Sequence, residues 1–143
     1  MTDVRRATCT LVAALGVCLA AVLQGQQAEP KKPSLSLKAT PPVGFTPLRV
    51  VVVVDLRDGS DDYADFYCAG VEWDWGDGTI SENSSDCDPY EAGKSQIKRR
   101  YTIQHVYRRA GAFRVFLHLK QRDRFMGSAA TSVQIQEGAG PGN

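Results

Sequence analysis

The sequence predicts an all-β sandwich, and three observations carry that prediction. Apolar residues alternate with a period of two through much of the chain, as in Leu48, Val50, Val52, Val54 and Leu56. Turn formers stand between the alternating runs, as at Pro41-Pro42 and at Gly76-Asp77-Gly78. No stretch carries the 3.6-residue spacing of an amphipathic helix. A chain of 143 residues, 43% hydrophobic and 23% charged, is sized for one domain with its own core. Its formal net charge of +1 argues against a dedicated nucleic-acid binder, where the domain is normally strongly basic.

The first 28 residues stand apart from the folded unit. Arg5 and Arg6 precede an apolar run from Ala7 to Leu23, and polar or small residues follow it. That order is the pattern of a secretory signal peptide, with cleavage expected after Gly25 or Ala28. The run is shorter than the ~20 residues a spanning helix needs. Two other readings bring in a membrane: an uncleaved anchor, or lipidation of Cys18 in a loose lipobox at Leu15-Gly16-Val17-Cys18. Removing residues 1–28 leaves 15 basic and 15 acidic residues. The chain is accordingly expected outside the cytoplasm, secreted or at the cell envelope or surface.

Residues 29–33 are polar and proline-bearing, which suits a linker. The domain is expected over residues 34–137, with a flexible glycine-rich tail at 138–143. Leu35, Leu37 and Ala39 alternate with Ser36 and Lys38 as a first strand, and Pro41, Pro42, Gly44 and Pro47 punctuate a loop. In the Leu48–Leu56 strand Val51 and Val53 make the second face apolar too, so this strand is expected to be central or covered. Val71, Trp73 and Trp75 alternate with Glu72 and Asp74 until the Asp77-Gly78 turn. A strand is expected near Lys98 to Ile103, another through Phe113, Val115, Leu117 and Leu119, and a last one from Ala129 to Ile135.

Without residues 1–28 the cysteines are Cys68 and Cys87, and an even pair in an exported chain reads as a disulfide. Closing a loop of that size stabilises the fold by ~3 kcal/mol in the chain-entropy model. The alternative is two reduced, buried thiols. No C-x-x-C spacing supports a redox or zinc site.

Val71-Glu72-Trp73-Asp74-Trp75-Gly76-Asp77-Gly78-Thr79 resembles the W-D-F-G-D-G-T-like motif of the polycystic kidney disease (PKD) domain family, with Trp75 where phenylalanine is usual. A second segment, His105-Val106-Tyr107 followed by Gly111-Ala112-Phe113-Arg114-Val115, is similar to that family's H-x-Y-x-x-x-G-x-Y-x-V. The resemblance spans about Ser34 to Gln136. It implies an immunoglobulin-like sandwich of about seven strands in two sheets, an extracytoplasmic setting, and contact with protein or carbohydrate. The chain departs from the family between Ile80 and Tyr101, where it carries a longer insertion containing Cys87. A Cys68–Cys87 bridge would pin that insertion beside the motif strand.

Each motif residue has a bland and a sharp reading. Trp73 is expected in the core, whereas Trp75 divides between core and an aromatic platform for sugar rings. Asp74 and Asp77 are expected to hold their turn, with calcium binding as the sharper alternative. His105 has no nucleophile to serve in the sequence, and the resemblance makes it structural, along with Tyr107 and Gly111. Asn83-Ser84-Ser85 spells a glycosylation sequon. No nucleophile–base pair, metal set or paired carboxylates announce an enzyme, and no cofactor is called for.

Charge is segregated along the chain. Asp55 to Glu91 holds twelve acidic residues and only Arg57 as a base, while Lys94 to Arg124 holds ten basic residues and only Asp123 as an acid. Either the two halves pair with each other, or the basic half forms a binding edge, with Lys98, Arg99 and Arg100 as its candidates. The expected function is non-catalytic binding or adhesion through the Glu82–Arg100 insertion. The alternative is a structural spacer or subunit of an envelope or surface assembly.

Overall fold

The computed structural model describes residues 29–138, so the expected signal segment and the last five residues lie outside the described part. Eight strands form in chain order: β1 (Ser34–Thr40), β2 (Val43–Phe45), β3 (Leu48–Arg57), β4 (Gly70–Asp74), β5 (Ile80–Asn83), β6 (Arg100–Tyr107), β7 (Gly111–Gln121) and β8 (Arg124–Gln136). One turn of 3-10 helix at Ala64–Phe66 interrupts the β3–β4 connection. The strands make two sheets, three-stranded β1-β3-β6 and five-stranded β2-β8-β7-β4-β5. This is the predicted all-β, immunoglobulin-like sandwich, with eight strands where about seven were expected.

The period-two pattern decides what each strand buries. Val50, Val52, Val54 and Leu56 of β3 face Trp73, Val71, Leu117, Leu119 and Val133 of the other sheet, all buried. β3 is central in its sheet, as its two apolar faces predict, although Val51 and Val53 are only half-covered. Among the described residues every member of the buried core falls between Ala39 and Ile135, so this segment encloses a core of its own.

Several boundaries differ from the sequence reading. The Pro41–Pro47 loop contains β2, three residues that pair with β8 in parallel. The strand expected at Lys98–Ile103 begins at Arg100 and runs on to Tyr107, which puts His105 and Tyr107 on it. The last strand starts at Arg124, five residues before Ala129, because Arg122 takes a positive φ of 55° and closes a tight turn without glycine. The insertion is shorter than Glu82–Arg100, since β5 occupies its start and β6 its end; the irregular part is 84–99.

β3 also sets the polarity of the domain. The chain enters beside Ser60, which exchanges hydrogen bonds with Lys31, and leaves beside Thr46, which receives the Gly138 N–H. Ser60 and Thr46 lie beyond opposite ends of the ten-residue β3, a separation of roughly 30 Å.

Candidate functional site

The two motif segments meet inside the sandwich. Trp73 and Trp75 are 2% and 0% exposed, with parallel rings 6.1 Å apart, so neither offers a platform to a sugar. His105 stacks on Trp75 at 4.4 Å, Tyr107 meets His105 edge-on at 4.7 Å, and Phe113 stacks on Tyr107 at 4.6 Å. The Tyr107 hydroxyl donates to the Trp75 carbonyl at 2.9 Å, and the Trp75 indole N–H donates to Ser81 at 3.0 Å. Buried Tyr and Trp need such partners for their polar ends. Burial, with the nearby Asp77 and Asp74 charges, pushes the Tyr107 phenol far above its ordinary range.

Asp74 and Asp77 hold the turn. Asp74 accepts the Gly76 N–H at 2.9 Å, and Asp77 Oδ1 accepts the N–H and hydroxyl of Thr79 at 3.0 and 2.5 Å. Asp77 Oδ2 lies 2.8 Å from His105 Nε2. Gly76 is required twice over: its φ is +71°, and a Cβ there would lie 2.6 Å from the Arg114 carbonyl oxygen. Burial pushes the Asp77 carboxyl up, and its bonds to Thr79 and His105 together outweigh that, holding it below the ordinary value. Among the described residues no group of three or more His, Cys, Asp or Glu side chains gathers where a metal would sit. Gly78 continues the turn with a positive φ, and Gly111 opens β7.

The second cluster is the insertion, held at the chain-entry end of the sandwich. Cys68 and Cys87 form a disulfide with a Cα separation of 6.0 Å, tying the insertion to the loop before β4. The Tyr67 hydroxyl donates to the Asp88 carbonyl at 2.9 Å, and Tyr90 donates to the Asp62 carbonyl at 2.7 Å. Glu91 and Ser95 close a turn through two hydrogen bonds of 2.8 and 2.9 Å. Ile97, 6% exposed, plugs into the core while its N–H donates to Asp61. Between this held insertion, the ends of β4 and β5, and the β7–β8 turn lies an open cleft of about 700 Å³, walled by Tyr67, Tyr90, Asn83, Asp86, Glu82 and Gln121.

The basic candidates divide. Arg99 donates to Asp61 and to the carbonyls of Leu56, Asp58 and Gly59, so it fastens the loop after β3. Arg100 pairs with Asp55 at 2.5 Å, and that guanidinium holds the Asp55 carboxyl below its usual range. Lys98 alone keeps its ammonium outward, 4.9 Å over the Tyr101 ring. With Lys120 on Glu72, these pairs join the acidic half of the sequence to the basic half. Tyr67, Tyr90 and Asp61 escaped the sequence reading; Ile97 had a signal, being the one large aliphatic residue between Ile80 and Ile103.

No family model matches the sequence, and no curated protein does. Among solved structures, the chain is similar to the PKD domain of an M14-like peptidase from a Thermoplasmatales archaeon, with a TM-score of 0.51 and 12% identity over 76% of this chain and 98% of that one. The fold is that of a PKD domain. The CARDB domain of a Pyrococcus furiosus protein, solved with di-metal ions, gives a TM-score of 0.45 and 11% identity over 73% of this chain and 94% of that one. Within this sandwich the motif aromatics build the interior and the motif aspartates and glycines shape the turn beside it.

Proposed function

We propose that this chain is a secreted, non-catalytic PKD-type module that binds protein or carbohydrate outside the cytoplasm through its insertion. The observation that supports this reading is the cleft, whose outer wall is an exposed segment held by a disulfide, two tyrosine hydroxyls and a buried isoleucine. A wall fixed before contact loses little conformational freedom on binding, which favours affinity. Loops held on a rigid frame are where sandwiches commonly carry function. The disulfide fits an oxidising compartment. Among the described residues Lys98 is the one of the three basic candidates left without an ion pair, and Arg122 is an exposed cation on the cleft wall.

The second reading, a structural spacer or subunit in a surface assembly, is favoured by the entry and exit of the described chain at opposite ends of β3. A capture experiment separates the two. Residues 29–143 and an Asn83→Arg/Ser84→Arg variant that fills the cleft are immobilised and exposed to extracytoplasmic extract and to a glycan panel. Binding to the parent that the variant loses supports the module. Equal binding by both moves the contact elsewhere, and no binding by either favours the spacer.

A further inference from the structure

β6 is the long uncovered edge of this sandwich. Of the strands that end a sheet, β2 and β5 have only three and four residues, and β1 lies against β8. β6 has eight residues in unbroken antiparallel register with β3 and, among the described residues, no strand on its other side. The Leu56 N–H donates to the Arg99 carbonyl, which fixes the alternation of the ladder. Residues 101, 103, 105 and 107 bond to β3, so Arg100, Thr102, Gln104 and Val106 turn their N–H and C=O groups outward. No backbone or side-chain group among the described residues meets them.

Edges of this kind are usually blunted by proline, by a bulge or by charge. β6 has no proline and no bulge. The arginines at its start are turned to other work, Arg100 on Asp55 and Arg99 on Asp61. On the inner face Tyr101 and Ile103 pack against the core yet stay only half-buried, because nothing closes the sheet beyond them.

We infer that β6 joins β6 of a second copy of this chain, antiparallel about a two-fold axis at Ile103. The sequence of the strand is self-complementary in that register. Thr102 faces Gln104 of the partner copy and Arg100 faces the partner's Val106, each such pair exchanging both backbone bonds. Between them Ile103 meets itself and Tyr101 meets the partner's His105, apolar and aromatic pairs that stabilise antiparallel neighbours. No like charges oppose within the strands; Lys98 and the partner's Arg108 approach only beyond the strand ends, in water. Such an isologous contact closes at two copies and buries the free edge of both. The two insertions then lie at opposite strand ends of one continuous six-stranded sheet, one cleft at each end.

The test is the solution mass of residues 29–143, which contain the whole core, by sedimentation equilibrium over a concentration series. The parent should reach twice the monomer mass. Thr102→Lys/Gln104→Lys sets new lysines against each other across the axis and should stay monomeric, with a near-ultraviolet spectrum like the parent's showing that it is folded. Thr102→Lys/Gln104→Glu sets each new lysine against a new glutamate and should restore the double mass. A parent that stays monomeric, a double-lysine variant that still dimerises, or a lysine–glutamate variant that fails to dimerise overturns the inference.

Discussion

Arg99 closes on Asp61 with its Nε and Nη2 at 2.8 and 2.5 Å from the same carboxylate oxygen, across 38 residues of sequence. The same guanidinium bonds the carbonyls of Leu56, Asp58 and Gly59. One side chain therefore fastens the end of β3, the loop that follows it and the root of the insertion. Arg99→Ala should cost ~2 kcal/mol, since hydrogen bonds to a charged group are worth more than neutral ones. Arg100→Ala, which breaks an exposed pair, should leave the denaturation midpoint near that of the parent. Urea titration of the two variants checks the contrast.

Tyr107→Phe keeps the packing of the ring but leaves the buried Trp75 carbonyl without its donor. It should destabilise the domain by ~1–3 kcal/mol. Trp73→Ala, which opens a cavity, should cost ~3–5 kcal/mol. If Trp73→Ala were as stable as the parent in the same titration, the tryptophan would not be part of the core.

Acid should weaken the fold through Asp77. Its folded carboxyl lies below the ordinary value, so just under that value the unfolded chain binds more protons than the folded one. Stability contributed by this group is full above the unfolded value and is lost as pH falls through the folded one. Asp77→Asn should therefore flatten the fall in thermal midpoint below about pH 5, with no effect at neutral pH from this titration. A fall as steep as the parent's would mean that other carboxylates carry the acid response.

Reductant should lower the thermal midpoint. The Cys68–Cys87 bridge spans 19 residues, and a loop of that length is worth ~3 kcal/mol in the chain-entropy model. Scans with and without reductant measure it, and an unchanged midpoint would mean that the bridge contributes nothing to stability.

The frame was legible because burial has a period. β3, β4 and β7 each set alternate large apolar residues against one core, and that alternation survives in one dimension. β5 was not legible, because it has four residues and its one apolar side chain, Ile80, faces solvent. β2 was hidden among Pro41, Pro42 and Pro47. The site was less legible still. A cluster reading Lys98-Arg99-Arg100 looks like a basic edge until Asp61 and Asp55, some 40 residues earlier, are seen to occupy two of its three charges. The cysteines gave the insertion its staple, but its tyrosine tethers end on backbone carbonyls, which carry no residue signature.

The most direct test of the stapled insertion as the working surface is to untie it. A Cys68→Ser/Cys87→Ser variant of residues 29–143 should keep the near-ultraviolet signal of the buried Trp73–Trp75 pair while retaining far less of any partner that the parent captures. Retention equal to the parent's would contradict the account, and would place the contact on the sandwich itself.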